Sequence, residues 1–102
     1  MYAVRTHMYP ALGKVGEART IYEAFVKQRQ SQGHRDSLQS QLFGDGPALI
    51  RVAIYDSIAD FEQDRKALNA SPEFQEVSTK LQLLSRSSPD IELFEFIVPP
   101  VP

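Results

Sequence analysis

Polar and apolar positions divide the chain into short segments of different period. From Tyr2 to Met8 they alternate, with Tyr2, Val4, Thr6 and Met8 on one side and Ala3, Arg5 and His7 on the other, which predicts a strand. Pro10 and Gly13 mark a turn. Val15, Ala18, Tyr22, Phe25 and Val26 then recur at helical spacing in a polar background that ends at Gly33, a C-terminal cap. Asp36 to Phe43 alternates weakly, Leu38 and Leu42 against Ser37, Gln39 and Gln41, and so polar a strand belongs at a sheet edge. Gly44-Asp45-Gly46-Pro47 turns the chain into Leu49 to Tyr55, which is apolar at nearly every position and therefore predicts a central strand covered on both faces.

Two helices follow, hinged at Ser71-Pro72. Ser57 is a good N-cap, Asp60 three residues on can answer it, and Ile58, Phe61 and Leu68 mark an apolar stripe. Pro72 pushes Ser71 out of the α region but is itself welcome at a first helical position, so Ser71 ends one helix and caps the next. In that second helix Phe74, Val77, Leu81 and Leu84 form a single stripe between polar residues, with Glu73 near its start and Arg86 just past its end, as the helix dipole favours. Ser87-Ser88-Pro89 makes a loop, and Ile91 to Val98 predicts a last strand before the proline-rich tail, residues 99–102.

Strand, helix, strand, strand, paired helix, strand is the order of an α+β, ferredoxin-like βαββαβ domain with a split second helix. Its antiparallel sheet has the order 4-1-3-2, counting strands along the chain. The polar second strand suits an edge of that sheet. Alternation in Leu49 to Tyr55 is taken to turn Ile50, Val52 and Ile54 toward the helices. The other face then receives Leu49, Ala53 and Tyr55, with Ile91, Leu93 and Ile97, and needs a second sheet to cover it. A homodimer packing two such faces together gives an eight-stranded barrel, wide enough to be filled by side chains or to hold one small ligand.

Composition narrows the function classes. At 102 residues with 42% hydrophobic content, residues 1–98 make one small domain. The net charge of -2 comes without a long run of either sign, so neither nucleic acid nor an anionic membrane is an expected partner. The chain has no cysteine, which excludes disulfides, thiolate nucleophiles and Cys-ligated metals. No apolar run approaches the length of a membrane helix, and a strand-like pattern begins directly after Met1, so a cytoplasmic protein is expected.

Several stretches carry a family resemblance: Tyr55-Asp56-Ser57-Ile58-Ala59-Asp60, followed by Arg65-Lys66-Ala67-Leu68 and Ser71-Pro72-Glu73-Phe74-Gln75. With Tyr2-Ala3-Val4-Arg5-Thr6, Gly13-Lys14 and Phe43-Gly44-Asp45-Gly46-Pro47, they resemble the NIPSNAP-like branch of the dimeric α/β-barrel superfamily over nearly the whole chain. The wider superfamily includes haem-degrading and cofactor-free monooxygenases whose sites use Asn, Trp and His. This chain has no Trp and a single Asn, Asn69, so that mechanism does not transfer.

Candidate chemistry collects on the face assigned to the barrel: Arg5 and His7 from the first strand, Gln39 and Gln41 from the second, Arg51 and Tyr55 from the third, and Glu95 from the last. Arg5, His7, Arg51, Tyr55 and Glu95 together suit a small oxygenated or anionic organic molecule. The alternative is that Arg5 or Arg51 pairs with Glu95 and closes a dry dimer core, since an unpaired buried charge is costly. His7 is the candidate general base, because an imidazole titrates near neutrality. Three functions remain open: small-molecule binding, a cofactor-independent enzyme of monooxygenase or isomerase type with His7 as base, and a non-catalytic dimerisation or assembly domain. No cofactor is implied, and two histidines 27 positions apart lack metal-ligand spacing.

Overall fold

The computed structural model describes residues 1–44 and 46–101. Its elements are β1 (Tyr2–Met8), α1 (Val15–Ser31), β2 (Arg35–Ser40), β3 (Leu49–Tyr55), α2 (Ile58–Asn69), α3 (Pro72–Leu83) and β4 (Asp90–Glu95). Every strand pairing is antiparallel and the order is β2-β3-β1-β4, the ferredoxin-like α+β sheet. Among the described residues no helix is long and apolar enough to cross a membrane.

Local chemistry sets the helix ends. Ser57 Oγ accepts the Asp60 N–H at 3.1 Å, and Ser71 Oγ accepts the Phe74 N–H at 3.3 Å with Pro72 in the first turn. At the end of α1, Gly33 takes φ 89°, a left-handed value that only glycine adopts cheaply. There the His34 N–H bonds to Arg29 O and the Gly33 N–H to Gln30 O, both at 3.1 Å, closing a Schellman motif that sends the chain into β2.

Two strands are shorter or shifted relative to the sequence pattern. β2 stops at Ser40 and leaves Leu42 and Phe43 exposed, because after the Gln41 N–H bonds to Ala48 O the chain leaves the sheet. The Gly44-Asp45-Gly46-Pro47 turn includes Asp45, which lies outside the described residues, as does Pro102 of the tail. β4 runs from Asp90 to Glu95 instead of reaching Val98. Phe96 N–H still bonds to Met1 O, but there β1 runs out, and Ile97 and Val98 are exposed.

The faces of β3 are the reverse of the sequence expectation. Register pairs Met8 with Leu49, Thr6 with Arg51, Val4 with Ala53 and Tyr2 with Tyr55, and laterally paired residues share a face. Leu49 and Met8 pack with Ala18, Tyr22, Phe25 and Val26 of α1 and with Leu81 and Leu84, so this is the helix side. Ile50, Val52 and Ile54, with Ala3, Arg5 and His7, therefore look out from the open face. In a strand otherwise apolar on both sides the polar mark is a single charged side chain, and a charge is expected to face out. Its one charged residue, Arg51, is the side chain that is neutralised inside.

That neutralisation ties four elements together. Arg29 continues the buried stripe of α1, and its Nε donates to Asp36 Oδ2 of β2 at 2.9 Å, while its Nη1 donates to Asp64 Oδ1 of α2 at 3.0 Å. Arg51 Nε of β3 donates to the same Asp36 Oδ2 at 2.8 Å, and the Tyr55 hydroxyl donates to Asp64 Oδ2. Arg29, Asp36 and Arg51 are 4, 5 and 7% exposed, so each charge depends on its partners. Burial alone would raise the Asp64 pKa, but the hydrogen bonds from Arg29 and Tyr55 and the Arg29 charge outweigh it and hold the carboxyl below its ordinary value. Arg29 is likewise held above its ordinary value by Asp64 and Asp36, against the pull of burial.

A depressed folded-state pKa stabilises at pH above the unfolded carboxylate value, about 3.9, and that stability is lost as pH falls through the folded value. We predict that Asp64→Asn lowers stability at pH 7 by roughly 1 to 3 kcal/mol, the cost of breaking a buried charge-assisted bond. The gap between variant and parent should narrow as urea melts are taken from pH 5 downward; a constant gap would show that Asp64 ionisation is not the source.

Candidate functional site

Between the helix side of the sheet and the helices lies a cavity of about 330 Å³. Its floor is β1 and β3, through Val4, Thr6, Met8, Arg51 and Tyr55, and Tyr22 and Phe25 of α1 form one wall. Phe61 and Leu68 of α2 with Phe74, Val77 and Leu81 of α3 make the opposite wall, while the exposed Arg65, Asn69, Ser78 and Gln82 stand at the mouth. Aromatic rings brace it: Phe25 lies 5.6 Å from Phe74, and Tyr55 meets Phe61 edge-on at 5.6 Å. The hollow exists because α2 has no fully buried residue and reaches the sheet chiefly through Asp64, the Tyr55–Phe61 contact and the half-buried Leu68.

The polar groups of the cavity are few. Burial pushes the Tyr22 hydroxyl up to about 12, and burial together with the hydrogen bond to Asp64 pushes Tyr55 up to about 12, so both stay protonated at neutral pH. The Arg51 guanidinium lies over the Phe25 ring at 5.7 Å, and its Nη2 is buried without a hydrogen-bond partner among the described residues. A smaller, more polar hollow of about 220 Å³ sits beyond Phe74, with Arg29, His34, Asp64 and Glu73 in its lining.

Of the sequence candidates, the structure brings Arg51 and Tyr55 together, on the helix side and not in a barrel between sheets. Arg5 and His7 sit on the opposite face: His7 Nε2 is 2.6 Å from Glu92 Oε1, and Arg5 lies 5.9 Å from the Phe94 ring. Gln39 shares that open face beside Ile50, whereas the Gln41 side chain donates to Phe43 O at 2.8 Å. Glu95 is exposed at the end of the edge strand, in register with Tyr2, and the partner of Arg51 is Asp36 instead. The candidates separate because the register sets Arg51 and Tyr55 beside Thr6 and Tyr2, on the face opposite Arg5 and His7. Sequence reasoning also passed over Arg29, Asp36 and Asp64. Two of them carried a signal, since Arg29 continues Tyr22, Phe25 and Val26 at helical spacing and Asp64 falls between Phe61 and Leu68 on the inner stripe of α2.

No protein-family model and no curated protein matches the sequence. Solved structures do match it. An uncharacterised NIPSNAP domain protein from Burkholderia xenovorans superposes with a TM-score of 0.81 at 18% identity, over 99% of this chain and 100% of that one. A NIPSNAP family protein from Agrobacterium tumefaciens gives 0.77 at 18% identity over 100% of both chains. An antibiotic biosynthesis monooxygenase gives 0.72 at 9% identity, over 95% of this chain and 99% of that one. At these identities the likeness is one of fold: the chain is built on the ferredoxin-like fold of the solved NIPSNAP domain proteins.

Proposed function

We propose that the protein binds a small, largely apolar organic molecule in the cavity between sheet and helices, and that it does so as a homodimer joined through the open faces of two sheets. The observation that carries the binding reading is the cavity itself. Its volume lies at the lower end of the range of ligand pockets, its walls are aromatic and aliphatic, and its polar groups are few and convergent. Binding is favoured over acid–base catalysis because no histidine or carboxylate lines it among the described residues, and its two tyrosines are shifted away from neutrality. His7, the candidate base, stands on the other side of the sheet, paired with Glu92.

Support for the dimer comes from the open face, where Val52 and Ile54 are half-buried and Phe94 is 43% exposed in the single chain. Those side chains form an apolar surface of the kind that a second sheet covers. A dimer of this sort leaves the helix-side cavities free, one per protomer, so assembly and binding use different faces.

The cavity is tested by thermal shift against a panel of small aromatic and aliphatic metabolites. A ligand at a hundredfold excess over its Kd adds about 2.7 kcal/mol, several degrees for a domain of this size. Ser78→Trp, which fills the mouth from an exposed position, should abolish the shift while leaving the unliganded melt cooperative. A panel without any active compound, or a shift that survives Ser78→Trp, refutes the reading.

For the dimer, sedimentation at micromolar concentration should give twice the chain mass of 11.5 kDa, from an interface above about 1,200 Å². Val52→Glu should convert it to a folded monomer that keeps the ligand-induced shift. A parent protein that sediments as a monomer refutes the dimer without touching the cavity.

A further inference from the structure

We infer that the occupant of the cavity is a small monocarboxylic acid with an apolar body, its carboxylate held by the Arg51 guanidinium; the inference rests on the cavity reading and names its ligand class. The first observation is an incomplete set of partners. Arg51 is 7% exposed, yet among the described residues Nε is its one paired donor, to Asp36 Oδ2 at 2.8 Å, and Nη2 is buried without a partner there. An arginine presents five N–H groups in a planar fork, and a carboxylate is the small group that takes two of them at once. Pairing with Asp36 alone uses one donor and leaves Nη2 unsatisfied in a side chain that lines the cavity.

The second observation is the charge of the lining. Arg51 and Arg65 are the ionised groups there, and no aspartate or glutamate lines the cavity among the described residues. The buried charges of Arg29, Arg51, Asp36 and Asp64 already cancel, so Arg65, exposed at the mouth and without an ion-pair partner among the described residues, is the cation left to balance an incoming charge. One surplus cation matches a monoanion. A dianion such as a phosphate monoester would be left with a charge unbalanced against Phe25, Phe61, Phe74 and Val77. Those side chains select the rest of the molecule: a ring or branched alkyl group whose burial supplies affinity while the carboxylate fixes orientation.

The test pairs acids with their neutral isosteres. Benzoate, phenylacetate, cyclohexanecarboxylate and 4-methylpentanoate are each titrated against the purified protein beside the corresponding primary amide, with amide chemical shifts read at cavity residues. At least one acid should bind ten times or more tighter than its amide, its affinity falling with added salt, with shifts at Arg51, Tyr55 and Val77. Arg51→Gln should bring acid and amide to equal affinity. Should that variant fail to fold, Arg65→Gln, at an exposed position, should still weaken the acid several-fold and spare the amide. Amides that bind in the cavity as tightly as their acids overturn the ligand class and leave the cavity reading standing. If neither acids nor amides shift a cavity residue, both fall.

Discussion

An arginine inside a small domain must be answered by carboxylates, and the architecture of this protein follows from answering two. Asp36 takes the Nε of both Arg29 and Arg51, at 2.9 and 2.8 Å, and Asp64 takes the other end of the Arg29 guanidinium together with the Tyr55 hydroxyl. Helix α1, strands β2 and β3 and helix α2 are thereby fixed to one another by directional bonds, where apolar packing alone would tolerate sliding. A group removed from this set would strand a charge with little access to water. The same dependence explains why a strand as polar as β2 is retained: it carries Asp36 under the end of α1.

The hollow beside this network is a consequence of how α2 is held. A helix that buried a full apolar stripe against the sheet would close the space. Here α2 is capped by Ser57, turned into α3 at Ser71-Pro72, and anchored by Asp64, while its apolar residues Phe61 and Leu68 line a wall instead of filling a core. Rigidity comes from polar ties and caps, and the apolar surface is left available.

Much of the fold was legible in the sequence because its signals are local. Ser57 and Ser71 cap where expected, Pro72 opens α3, Gly33 follows the end of α1, and the apolar run from Leu49 to Tyr55 is the strand. Strand order followed from handedness and adjacency. What the sequence did not disclose is non-local. Whether Ile50 or Arg51 faces the helices depends on Asp36, fifteen positions away, being beneath α1 to receive a charge. The site divided for the same reason, with Arg51 and Tyr55 together on one side and Arg5 and His7 on the other. The strand ends at Ser40 and Glu95 were misjudged because apolar residues such as Leu42, Phe43, Ile97 and Val98 continue past the last available partner.

The alternation of β3 gives this short strand two separate texts, read from opposite sides. Leu49, Arg51, Ala53 and Tyr55 spell out the helix side, where Arg51 and Tyr55 are polar anchors of the cavity; Ile50, Val52 and Ile54 spell out the outer surface. Because a pleated strand has a period of two, the insertion of one residue near Leu49 would transpose the texts. Arg51 would be carried away from Asp36 to the outer surface and a branched aliphatic side chain brought beneath α1, whereas an insertion of two residues would restore the phase. The strand is tolerant of changes in length only in even steps.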